Sequence, residues 1–98
     1  MYVGTLTLDV LLGDIRSLKQ KRSAVRPLVA DLRRSFPGVA VAETGHLEAH
    51  RRTEIGVAVV ASTARHCVDV LTACERLVAE RPDVELLSAR QRLLNEED

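Results

Sequence analysis

Ser17-Leu18-Lys19-Gln20-Lys21-Arg22-Ser23-Ala24-Val25-Arg26-Pro27-Leu28-Val29-Ala30-Asp31-Leu32-Arg33-Arg34-Ser35-Phe36 is the stretch around which this 98-residue chain is organised. Leu18, Val25, Leu28, Val29, Leu32 and Phe36 recur at three- and four-residue steps and line one side of a helix. The other sides carry Lys19, Lys21, Arg22, Arg26, Arg33 and Arg34. Ser17 is placed to cap the helix, with Gln20 three residues on completing a capping box. Pro27 lacks an N–H and clashes with the preceding turn, which predicts a kink or a regular helix that begins near Ser23. Pro37-Gly38 stops it.

Working outward, residues 2–12 alternate cleanly. Leu6, Leu8, Val10 and Leu12 fall on one face and Thr5, Thr7 and Asp9 on the other, the pattern of a half-buried strand. Val39 to Thr44 reads as a second short strand, and Gly45 to Arg52 as a polar connection. Thr53 to Ala61 is apolar on both faces and predicts a central strand. Ser62 or Thr63 caps a second helix running to about Glu80, whose buried stripe is Cys67, Val70, Leu71, Cys74, Leu77 and Val78. Val84 to Ala89 is a fourth strand. The expected organisation is one domain over residues 1–89, followed by a polar C-terminal tail over residues 90–98. The order βαββαβ with right-handed crossovers gives an α+β, ferredoxin-like fold. It predicts a four-stranded antiparallel sheet of order 4-1-3-2 with both helices on one face.

Composition bounds the function. With 46% hydrophobic and 29% charged residues, the chain is an ordinary globular domain that needs no metal or disulfide for stability. Formal net charge is zero, but residues 16–34 hold seven of the fourteen Lys and Arg and only one acid, Asp31. The last three residues, Glu96, Glu97 and Asp98, are all acidic. A basic face on a neutral protein suits an anionic partner. Cys67 and Cys74 lie seven apart on one helix, roughly 10 Å, too far for a disulfide and suited to buried thiols. No apolar run approaches the roughly 20 residues a bilayer requires, and no cleavable leader is evident. The expected location is the cytoplasm, with no membrane role.

With two helices on one face, the open side of the central strands should show Val3, Thr5, Thr7, Asp9, Gly56, Ala58 and Val60. RNA-recognition modules of this architecture stack bases on aromatics there, and only Tyr2 and Phe36 are aromatic in this chain. That mode is rejected. A flat, partly apolar face suits a homodimer.

The one cluster of ligand-type side chains is Glu43, His46, Glu48 and His50, in and beside the polar connection. His46 and His50 share a face if this connection makes a helical turn, but a third metal ligand at recognised spacing is missing. Neither cysteine has a base and an orienting group beside it, and the glycines are scattered singly. No metal, cofactor or catalytic residue is therefore assigned. The candidates are Lys19, Lys21, Arg22 and Arg26 for an anion such as an RNA phosphate, and Glu43, His46 and His50 for any activity of the loop.

Val3-Gly4-Thr5-Leu6, Ser17-Leu18-Lys19-Gln20-Lys21-Arg22, Val41-Ala42-Glu43 and Ile55-Gly56-Val57-Ala58-Val59-Val60 together resemble the YlxP-like family of small, uncharacterised bacterial proteins. The resemblance covers about residues 1–89 and implies a ferredoxin-like fold in the bacterial cytoplasm. Genes of the family often sit among translation and ribosome-maturation genes, which implies an RNA- or ribosome-linked partner. It carries no catalytic residues. Its usual His-Gln-Asp-like loop with a nearby aromatic is matched here only at His46; Leu47, Glu48, Ala49 and His50 depart from it. The resulting expectation is a non-enzymatic, dimeric binding protein acting through its basic helix. The alternative is a dimeric small-molecule regulator or protein-interaction module without a nucleic-acid role.

Overall fold

Every second residue of the first strand disappears from solvent, and this alternation sets the layers of the molecule. In the computed structural model, which describes residues 1–96, strand β1 (Tyr2–Leu11) is followed by helix α1 (Leu18–Ser35), strands β2 (Ala40–Gly45) and β3 (Arg52–Ala61), helix α2 (Ala64–Ala79) and strand β4 (Glu85–Asn95). The sheet order is β2-β3-β1-β4 and every pairing is antiparallel. This is the 4-1-3-2 order expected from the pattern, counted from the other edge.

Leu6, Leu8 and Val10 on β1 and Ile55, Val57 and Val59 on β3 turn toward the helices and are buried. Helix α2 packs on β1, β3 and β4 and contributes Cys67, Leu71, Cys74 and Val78; α1 lies against β2 and contributes Val25, Leu28 and Leu32. Gly4 permits the close approach of α2. A Cβ there would stand 2.8 Å from Leu71 Cδ1 and 3.2 Å from Cys67 Cβ. Both helices are capped as their sequences require, Ser17 accepting from the Gln20 N–H at 3.1 Å and Thr63 from the His66 N–H at 3.2 Å. The Gln20 side chain reaches one residue past the expected capping box: it accepts the N–H of Arg16, before the cap, at 2.7 Å rather than that of Ser17.

Two expectations are corrected. The regular helix does not begin near Ser23: α1 is continuous from Leu18 through Pro27. Pro27 lies on the exposed side, so the Ser23 carbonyl that loses its helical donor is left on the hydrated surface. Residues 90–95 are not tail. Strand β4 pairs with β1 along its whole length, from Glu85 opposite Leu11 to Asn95 opposite Tyr2. The segment looks polar because α2 only partly covers this edge strand, leaving both of its faces wet. The Met1 ammonium meets the Glu96 carboxylate at 3.1 Å beyond the strand end; Glu97 and Asp98 lie outside the described residues.

Candidate functional site

Lys21 is not on the surface. Its position at four, seven and eleven residues before Val25, Leu28 and Leu32 puts it on the buried stripe of α1, and only 2% of the residue is exposed. A buried ammonium must be neutralised and hydrogen-bonded, and here both needs are met. Lys21 Nζ stands 3.0 Å from Glu43 Oε2 in an ion pair and donates a hydrogen bond to the His46 carbonyl. The Thr53 hydroxyl, fully buried, donates to the same Glu43 oxygen at 2.7 Å. Glu43 alternates in phase with Val41, and Thr53 with Ile55, so β2 and β3 both present these polar groups to the helix side. The ion pair belongs to the architecture: it braces the first turns of α1 against the end of the sheet. Lys21 is thereby removed from the set of anion-binding candidates.

The same brace organises the loop of residues 46–51. His46 adopts a left-handed conformation with φ 53°, which costs a non-glycine residue free energy unless its surroundings hold it. Its carbonyl accepts both the Lys21 ammonium and the Ala49 N–H, the latter at 3.0 Å. Its Nε2 lies 3.5 Å from Asp9 Oδ1 on the open face, and Asp9 is itself clasped by both Nε and Nη2 of Arg52. The segment is a tight turn and not a helix, so His46 and His50 do not share a helical face. His50 is exposed and stands apart from this network. Glu43, His46 and Lys21, read from sequence as two separate candidate groups, thus meet in one structural cluster. Arg51 ties this loop to the turn before α1 by donating to the Gly13 carbonyl at 3.1 Å.

What remains free on α1 is a stripe. Lys19, Arg22 and Arg26, at i, i+3 and i+7, are exposed, and their cationic groups have no partner among the described residues. They span about 10 Å along the helix axis. Several other basic residues are occupied, although the exposed Arg76 on α2 is in no ion pair among the described residues. Arg16 pairs with Asp14, Arg34 with Asp31, and Arg33 donates to the Val41 carbonyl at 2.8 Å. Arg81 reaches Asp31 and also grips Asp83, with Nε to Oδ1 at 3.0 Å and Nη2 to Oδ2 at 2.8 Å. That grip holds the Asp83 carboxyl below its usual range, with desolvation opposing. Both thiols are free and buried, and burial pushes Cys74 up to about 11, which leaves it unreactive at neutral pH.

Sequence reasoning missed Arg90 and Arg92. They pair across strands with Thr7 and Thr5 and therefore stand on the open face of the sheet, both without a partner among the described residues. Their two-residue spacing was the available signal, concealed by reading residues 90–98 as a tail. Tyr2 and Phe36 pack against the core, so neither ring is placed to stack a base on the open face.

The strand order and two-helix cover define a ferredoxin-like α+β domain, with its unpaired cations on solvent-facing surfaces. The chain belongs to the DUF503 family, described as proteins of unknown function, which it matches over residues 3–91. Among solved structures it is similar to the solution NMR structure of a de novo designed protein with a ferredoxin fold. The TM-score is 0.51 at 11% identity, over 98% of this chain and 88% of that one, a likeness of fold alone. No curated protein matches the chain. Among the described residues no helix is long and apolar enough to cross a membrane.

Proposed function

We propose that this protein is a non-enzymatic binding protein that contacts RNA phosphates through Lys19, Arg22 and Arg26. The observation that carries this reading is the unpaired state of these three side chains on one exposed stripe, while Arg16, Arg34, Arg52 and Arg81 are all engaged by carboxylates. The buried Lys21 brace supports it by fixing the turns that carry Lys19 and Arg22, so that little order must be gained on binding. The YlxP-like resemblance of the helix start, with its link to translation genes, favours RNA among polyanions. The histidines of the loop have no assigned part in this reading.

Binding to a structured ribosomal RNA fragment tests it. Three phosphate contacts predict that raising salt from about 50 to about 200 mM weakens binding about 20- to 40-fold. Replacing Lys19, Arg22 and Arg26 together by Glu removes the binding and its salt dependence while the melting temperature holds. Binding that survives the triple replacement refutes the assignment, as does an absence of binding at low salt.

A further inference from the structure

The open face of the sheet carries an uneven distribution of charge. Arg90 and Arg92 project from β4 at one side and are unpaired among the described residues. Toward the other side Glu54, on β3, accepts a hydrogen bond from the Thr44 hydroxyl at 2.7 Å and has no cation beside it among the described residues. Between them is a hollow of about 460 Å³, floored by Thr5, Thr7, Ala42, Gly56 and Ala58, with Glu54 at its margin. No open-face side chain on that floor is larger than threonine. Beyond the hollow Leu94, Val3 and Val60 form one apolar cross-strand row, with Val60 61% and Leu94 46% exposed.

We infer that this face is the contact surface of a homodimer in which Arg90 and Arg92 of each protomer enter the hollow of the other and reach the partner's Glu54. Two identical faces packed together are related by a two-fold axis lying in the interface plane. If that axis ran across the strands, β4 would cover the partner's β4 and four arginines would meet. Like charges so placed repel and disfavour that arrangement. If the axis runs along the strands, β4 covers the partner's β2 and β1 the partner's β3, so the arginines stand beside the hollow and the unpaired acid. Asp9, which shares the Glu54 row, is already neutralised by Arg52. Arg90 then stands over the row of the partner's Ala42 and the partner's Gly56. The partner's Glu54 is two residues along β3, about 7 Å away and within the reach of an arginine side chain. The small floor residues leave room for the arginine stems between sheets about 10 Å apart. In the same arrangement Val3 of each protomer meets the partner's Val60, closing the apolar end of the contact.

This surface is on the opposite side of the sheet from α1, so the two proposals fail independently. Light scattering and sedimentation of the purified chain, run at several concentrations, test the dimer. The wild type is expected at twice the chain mass. Val60→Lys, at a side chain already exposed, abolishes the dimer while the far-UV circular dichroism of the folded chain is unchanged, and its melting temperature no longer rises with protein concentration. Glu54→Arg alone, or Arg90→Glu with Arg92→Glu, raises the dissociation constant by about tenfold or more; the three together restore it. A monomer at every concentration overturns the inference. So does a dimer that ignores Val60→Lys, or charge reversals that do not compensate, since either places the contact elsewhere.

Discussion

Replacing Lys21 by Met isolates what the buried ion pair contributes. Methionine keeps most of the apolar stem, so packing changes little. The charged hydrogen bond to the His46 carbonyl disappears, and the Glu43 carboxylate is left without the cation of its ion pair. Hydrogen bonds involving a charged group contribute about 1.5–3 kcal/mol each. Breaking a fully buried pair by removing one partner costs about 3–5 kcal/mol. The Glu43 side chain is 26% exposed, so water relieves part of that penalty. A loss of about 2–4 kcal/mol follows, against a total of about 5–15 kcal/mol for a domain of this size. The thermal midpoint should fall by about 10–25 °C. Urea unfolding and thermal melting followed by far-UV circular dichroism read both quantities. Lys19→Met, on the exposed stripe, is the control and should move stability by less than about 0.5 kcal/mol. The triple replacement Lys21→Met, Glu43→Leu and Thr53→Val removes the charges and the orphaned hydroxyl together and should recover at least half of the loss. A Lys21→Met protein that melts within about 3 °C of the wild type would refute the brace.

Two further predictions rest on other contacts. Gly4→Ala forces a methyl group against Leu71 and Cys67 and should destabilise by about 1–3 kcal/mol, whereas Gly13→Ala, where nothing lies within 4 Å, should not; paired urea titrations check the contrast. The folded-state pKa of Asp83 is depressed by Arg81, so the stability it adds is complete above the ordinary carboxyl value of about 4 and disappears as pH falls through the lower folded-state value. Asp83→Asn should therefore flatten the acid limb of the stability–pH curve by less than about 1 kcal/mol, because the pair is partly solvated.

The fold was legible because its signals are local and agree with one another. Strict alternation in β1, two capping residues and the three-and-four spacing of both helices each point to the same arrangement. Lys21 was misplaced because residue type was weighed above position: a lysine reads as surface. Yet its spacing from Val25, Leu28 and Leu32 already put it among the apolar residues. Glu43 opposite a buried lysine was legible in the same way, from the phase of Val41, but only once the fold had brought β2 against α1. The left-handed His46 had no sequence signal, since its carbonyl is held in part by a side chain 25 residues away. The length of β4 was hidden by its solvation. An edge strand with two wet faces does not alternate in hydrophobicity, so the signs that it continues are the pairing capacity of β1 and the two-residue spacing of Arg90 and Arg92.

Strand β4 has a consequence for how the protein keeps itself in solution. An eleven-residue outer strand with Leu87, Leu93 and Leu94 exposed is a template on which another extended chain could add and begin an aggregate. Arg90 and Arg92 interrupt it. A second copy of β4 laid antiparallel and centred on Gln91 would place Arg90 of one chain opposite Arg92 of the next at both positions, and like charges directly opposed destabilise the ladder. The bulge at Leu87, where the register with β1 shifts, bends the same edge and makes it a poorer surface for stacking. These two arginines therefore act as gatekeepers, and neutralising both would be felt first as a loss of solubility during expression.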